Sequence, residues 1–402
     1  MNDSNAPVES RPASAKRSRL ILLSGLFFIV LIIGVSVFAY EHLYGRFYEA
    51  TEDAYVDGNR VQIGSGINGT VIRINADDGD YVEQGQVLVE LDPSDTAIAL
   101  AAAQADLAAT VREVRGLFSS VANHRAQLAT RQLERQQAYS DFNRRDKLAA
   151  AGVLSQEAMS HSRDALGQTE NALIIARQQL SRSQALVEGT SLETHPQVQA
   201  ARAKLHQAYI NHARTHLLAP VSGYVAQRRV QPGARVAAGQ ALMAVIPLHQ
   251  VWIEANFKET QMRQMQIGQA VDITADLYGS DVHYQGHIES LGVGTGGAFA
   301  LLPAQNASGN WIKIVQRVPV RIGLQPEALQ THPLRLGMST RVEVDLHQQD
   351  GDVLARRADP TARYTTDIYD NLLQEADQLA TQLIQANSTA SIEHSSAVSQ
   401  IQ

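Results

Sequence analysis

The sequence predicts a multidomain α+β chain: an N-terminal transmembrane helix, a β-sandwich built from two separated halves, an antiparallel α-helical coiled-coil hairpin inserted between them, and a small β-barrel. Three observations predict this. A single uncharged apolar run lies near the start, a strand-and-turn pattern occurs twice at one fixed offset, and seven-residue periodicity fills the interval between the copies.

The apolar run, Leu20 to Tyr40, would span roughly 30 Å as a helix, one bilayer core. Arg11, Lys16, Arg17 and Arg19 precede it, and Glu41, Glu49, Glu52 and Asp53 follow. Basic residues favour the cytoplasmic side, so residues 1–19 are expected in the cytoplasm and everything after Tyr40 outside it. A cleaved signal peptide is the competing reading, with Val37–Ala39 as its processing site. The run exceeds the usual apolar region of about 7–15 residues, which favours a retained anchor. No second apolar stretch of this length occurs, so the chain cannot form a transport pore alone.

Composition narrows the remaining chemistry. Apolar residues make up 44% of the 402 positions but aromatics only 5%, which favours long helices over a large enzyme core. The net charge of −7 offers no diffuse basic field for nucleic acid. Cysteine is absent, which removes thiolate nucleophiles, Cys-ligated metals and disulfides.

The repeat is carried by Gly69, Val71, Gly79, Val82, Gly85, Gln86 and Leu88. Each recurs identically 154 residues later (223 − 69 = 154), at Gly223, Val225, Gly233, Val236, Gly239, Gln240 and Leu242. Seven identities at one ungapped offset mark a true internal duplication. Apolar residues alternating with turn glycines read as short strands and tight hairpins. Copies of about 30 residues cannot bury a core singly, so residues 62–93 and 218–247 are expected to pair. The pattern resembles a lipoyl or biotinyl domain cut in two. Such carriers need a hairpin lysine, yet the turn region Val89–Pro93 has none, and no lysine occurs between Lys16 and Lys147. No covalent cofactor is expected.

Between the halves, Leu100, Leu107, Val114, Val121 and Leu128 are spaced by seven, as are Met159, Leu166, Leu173, Leu180 and Val187; Ala201 and Ala208 extend the second series. Sustained heptads predict coiled-coil helices. Gly152 supplies a stop, and Ser155 with Glu157 a restart. An antiparallel hairpin across 94–217 follows, with arms of about 95–150 and 156–216. Gly189 and Pro196 are expected to kink the returning arm. A dimerising rod is the alternative, but both ends of the insert are held in one sandwich.

An anchor, a split lipoyl-like domain and an inserted hairpin together resemble the HlyD-type periplasmic adaptors, the membrane fusion proteins. Thr51–Val56 (TEDAYV), Ala255–Thr260 (ANFKET), Leu301–Asn306 (LLPAQN) and Gly309–Lys313 (GNWIK) with Val315–Arg317 carry the likeness, which covers about residues 20–350. It implies a non-enzymatic, homo-oligomeric adaptor in the inner membrane, single-pass, with its bulk in the periplasm. It would link a proton-driven major-facilitator transporter of the inner membrane to a TolC-like outer-membrane channel, in multidrug efflux. An adaptor for ABC-driven type I protein secretion is the alternative, disfavoured by the moderate length of the insert. Adaptors of this family carry an Arg-x3-Leu-x6-Ser signature at the hairpin tip, matched here by Arg144, Leu148 and Ser155. The resemblance makes these the channel contacts. Read alone, Arg144 is a solvated helix residue, Leu148 closes the coiled coil and Ser155 is an N-cap.

Residues 248–348 read as short strands, among them Val251–Ala255, Val271–Thr274, Ile312–Val315 and Arg317–Ile322, suited to a small barrel. The resemblance adds a strand at about Ala54–Val61, within the linker 41–61, and a short helix at Glu259–Met265. Residues 291–311 read as a long loop. In the tail, 349–402, Ile368, Leu372, Leu373, Ala376, Leu379, Leu383 and Ile384 form an amphipathic stretch. It either docks on the barrel or a neighbouring subunit, or stays loose.

His212 and His216 share the i,i+4 spacing of metal ligands but lack a third ligand nearby, so a solvated helix face is expected. Asp77, Asp78 and Asp80 belong to a strand turn. No metal site, phosphate loop or nucleophile elbow is found.

Overall fold

The computed structural model describes residues 14–43, 45–299, 314–355 and 361–389. In chain order the elements are α1 (Ser14–Leu43), β1 (Tyr48–Gly58), β2 (Val61–Gly64), β3 (Gly69–Ile74), β4 (Tyr81–Val82), β5 (Val87–Leu91), α2 (Ser94–Ala150), α3 (Gln156–Ala185), α4 (Pro196–Ala213), β6 (His216–Leu218), β7 (Gly223–Ala226), β8 (Arg235–Val236), β9 (Ala241–Ile246), β10 (Val251–Lys258), β11 (Ala270–Ala275), β12 (His283–Leu291), β13 (Arg317–Leu324), α5 (Pro326–Thr331), β14 (Ser339–Asp345) and α6 (Leu372–Thr389). They form two compact units, one from residues up to 60 with 246–364, the other from 61–245 with residues from 365 onward.

In the first unit, the stretch Leu22–Phe47 contains an 18-residue window with a mean hydropathy of 2.7 and is long and apolar enough to cross a membrane. Its leucine, isoleucine and phenylalanine side chains from Leu22 to Phe38 stand exposed, as lipid-facing residues do. The rest of the unit is a closed six-stranded antiparallel barrel in the order β1-β10-β13-β12-β11-β14. Closure removes sheet edges. Alternate residues point inward, so Ile253, Ala255 and Phe257 of β10 and Val342 and Val344 of β14 are buried together.

Several expectations shift here. The strand taken from before the sandwich is β1, which ends at Gly58; Val61 pairs instead with Val245 in the sandwich. The expected helix at Glu259–Met265 is a single 3₁₀ turn, Gln261–Gln264, after which Met265 is fully buried in the barrel core. Of the expected strand Ile312–Val315, residues 312 and 313 lie outside the described residues, and no strand covers Ile314 or Val315. Most of the loop 291–311 also lies outside them, as do Leu301–Asn306.

The second unit holds the sandwich and the helices. Its two sheets run β2-β9-β7-β4 and β6-β5-β3-β8. Adding or subtracting the repeat offset converts each strand of the first sheet into its counterpart in the second, in the same order. Every sheet therefore contains strands from both halves, and neither half closes without the other. The duplicated turn glycines explain the identities: Gly79 and Gly233 have φ of 94° and 84°, a region costly for side chains bearing a Cβ. Arg228 ties the halves further, with its Nε 2.7 Å from Asp77. That hydrogen bond, with one from the Asp78 amide, holds the Asp77 carboxyl below its usual range.

The helical insert leaves between β5 and β6. Its outgoing arm is the continuous 57-residue α2, about 85 Å long. The returning arm is two helices rather than one kinked helix. Residues 186–195 break it, with Gly189 at φ 70° and the His195 side chain accepting from the Gln197 amide at the start of α4. Near the break Val121, Leu180 and Val187 pack together. Nearer the sandwich, Leu107, Val111 and Val114 of α2 meet Val198, Ala201 and Leu205 of α4.

The tail resolves differently from either expectation. Helix α6 docks on α2 and α4, burying Ala380 and Ile384 in that same cluster, and Ala376 is buried as well. The stem is thus a three-helix bundle closed by the C-terminal segment.

Candidate functional site: the hairpin tip

Helix α2 ends in a Schellman-type turn. The Val153 amide donates to the Leu148 carbonyl (3.1 Å) and the Gly152 amide to the Ala149 carbonyl (2.9 Å). Gly152 takes φ 75°, open to glycine and strained for other residues. Gly152→Ala should therefore destabilise the tip by about 1–2 kcal/mol, read as faster amide exchange at residues 148–158 with the barrel unchanged.

Arg144 and Leu148 lie one turn apart on the same stripe of α2. The Arg144 side chain is 71% exposed and pairs with Asp141 at 2.8 Å. An exposed pair three residues apart is worth at most about 1 kcal/mol, so the guanidinium can change partner readily. Leu148 is 43% and Val153 74% exposed, which leaves apolar surface in water at the end of the arm. Ser155 is the N-cap of α3, its Oγ accepting from the Ala158 amide at 3.3 Å. The hydroxyl hydrogen remains free to donate to a second group. The turn thus gathers all three predicted residues at one exposed end. Sequence reasoning missed Val153 and Asp141; the apolar pair Val153-Leu154 directly after the stop glycine was the available signal.

The discounted motifs fall apart structurally. Helix α4 stops at Ala213, so His212 and His216 do not share a helix face. His212 Nδ1 lies 3.2 Å from Thr96 Oγ1, and His216 starts β6. Asp80 accepts from the Asp77 amide at 2.8 Å, a turn-forming role. Among the described residues, no group of three or more His, Asp or Glu side chains could hold a metal ion.

Residues 94–215 match the EMRA alpha-helical hairpin domain, and residues 250–345 match the AAEA-like beta-barrel domain. The chain is 42% identical over 353 residues to multidrug export protein EmrA of Escherichia coli K12, covering 88% of this chain and 90% of the relative. It is 39% identical to the Haemophilus influenzae EmrA, covering 94% and 97%. It is 45% identical to fatty acid resistance protein FarA of Neisseria gonorrhoeae, covering 73% and 75%. Hairpin, barrel and near-full-length identity agree: the chain belongs to the EmrA-type family of membrane fusion proteins.

Proposed function

We propose that this chain is the inner-membrane-anchored periplasmic adaptor of a multidrug efflux pump. It joins an EmrB-like major-facilitator transporter to a TolC-like outer-membrane channel and acts as a non-enzymatic homo-oligomer. Residues before the anchor lie in the cytoplasm, and the barrel, sandwich and helical hairpin lie in the periplasm, following the basic flank of α1.

The observation that carries the reading is the exposed end of the long hairpin. Among the described residues the Arg144 side chain pairs with Asp141 alone, and Leu148 and Val153 stand exposed, on an arm of about 85 Å. In the contact, Arg144 releases Asp141 and bonds carbonyls or carboxylates of the channel. Leu148 fills an apolar groove, and Ser155 donates its hydroxyl while still capping α3. Relatives named for drug export and fatty acid resistance support efflux, and nothing favours the secretion alternative.

Photocrosslinkers at positions 144 and 148 in living cells test this. The expected capture is an outer-membrane channel, and Leu148→Asp should reduce both capture and drug resistance at least tenfold with adaptor levels unchanged. Capture of only other copies of the chain would refute the tip assignment.

A further inference from the structure

A cavity of about 560 Å³ opens in the second unit, bounded by β2, β6, the end of α4 and the segment entering α6. Its volume falls in the range of roughly 300–1,000 Å³ typical of small-molecule sites. Ile63, Ile210, Leu372 and Leu373 contribute to a mainly apolar wall, and its ionisable basic groups are Arg214 and His216. No carboxylate lines it among the described residues.

The wall is built rather than incidental. Thr366 Oγ1 donates to the Pro220 carbonyl at 2.8 Å, and Gln84 Nε2 donates to Asp367 at 3.0 Å. Both bonds fasten the C-terminal segment beside the sandwich. The Arg214 side chain lies against Gly66, where an added Cβ would come within 3.2 Å of its Cδ. Elsewhere on the sandwich Arg73 and Arg228 are paired with Glu90 and Asp77; Arg214 has no carboxylate partner among the described residues. Glu90 stands opposite His216 in the β5–β6 pairing, but its carboxylate already accepts from Asn75 and Arg73. Leu373, at 58% exposed, leaves apolar surface facing water at the rim.

We propose that this cavity binds a long-chain monoanionic amphiphile, with the acyl tail along the leucine and isoleucine wall and the carboxylate on Arg214 beside His216. Apolar walls favour the tail by removing its surface from water. An unpaired guanidinium supplies a charge-assisted pair of donors that a neutral head group would use less well. The exposed position of Arg214 keeps the head group partly hydrated, so no charge is stranded.

The test uses the full chain in lipid nanodiscs and a photoactivatable dodecanoate with a diazirine on its tail. Labelling is expected on residues 210–218 or 368–373, competed by dodecanoate and far less by dodecanol. Arg214→Gln should weaken labelling about tenfold, as expected for one lost charged hydrogen bond. Arg235→Gln, on the sandwich outside the cavity, should leave it unchanged. Leu373→Glu, at an exposed position the fold tolerates, should also abolish labelling by placing like charge at the rim. Equal competition by dodecanol, indifference to both cavity substitutions, or labelling confined to α1 would overturn the proposal. Neither pump nor channel is present in this assay, so its outcome is independent of the tip contact.

Discussion

Ile384→Ala is expected to cost the helical stem about 2–5 kcal/mol, the usual range for truncating a buried isoleucine. Leu373→Ala on the same helix should cost under about 0.5 kcal/mol. The contrast follows from burial: Ile384 is 3% exposed and packs among Val198, Leu205 and Val111, whereas Leu373 is 58% exposed. Polar clamps fix the register of α6. Arg202 Nε donates to Asp377 at 2.9 Å, Tyr209 donates to Glu375 at 2.9 Å, and Arg112 donates to Asn387 at 2.8 Å. His206 Nε2 lies 3.3 Å from the same Asp377 oxygen but lacks hydrogen-bond alignment, so Arg202 carries that contact. Burial, then the bond to Glu375, raises the Tyr209 phenol and keeps it a donor. Amide exchange across 198–205 and 376–388 is the measurement. Equal effects of the two substitutions would show that α6 does not close the stem.

Tyr284→Ala should be the most damaging change in the barrel, at about 3–5 kcal/mol, the range for deleting a buried aromatic ring. Tyr284 is 1% exposed and donates to the His332 carbonyl at 3.0 Å. Tyr284→Phe keeps the volume and strands that carbonyl, for about 1 kcal/mol. Burial, with a smaller contribution from Tyr278, pushes the phenol from 10 to about 12. A raised folded value means the stabilising contribution is complete below pH 10 and is lost as pH rises towards about 12. Trp252 fluorescence during alkaline unfolding should show this loss in the parent and not in Tyr284→Phe.

The fold was legible wherever a sequence pattern expressed a backbone necessity. The repeat could be read because Gly79 and Gly233 answer to the same left-handed turn, and Val71 and Val225 to equivalent buried positions. The hairpin could be read because Leu107, Val114 and Val121 keep a strict seven-residue spacing on a buried stripe. Strands β12 and β14 were not singled out individually within the barrel region, for a related reason. In β12 the inward positions are Tyr284, Gly286 and Ile288, and in β14 the first is Thr340, so glycine and threonine interrupt the apolar alternation. The amphipathic face of α6 was visible, but its destination was not. Ala376 and Ala380 allow close helix approach without specifying which helices, and the receiving surface on α2 and α4 was already accounted for by heptads. At the tip, Arg144, Leu148 and Ser155 were singled out by the family resemblance rather than by spacing, while the exposure of Val153 depends on the turn geometry set by Gly152.

The ten-residue break between α3 and α4 has a mechanical consequence. Buried residues of α2 stop at Val121, and the extra helix braces only the part near the sandwich. Beyond that point the arm is a slender pair of helices whose α2 seam residues are only half-buried. Bending rigidity therefore tapers from root to end, as in a fishing rod. Lateral mismatch at the far end is absorbed by flexure of the outer helix pair, and the load reaching the braced root is correspondingly small.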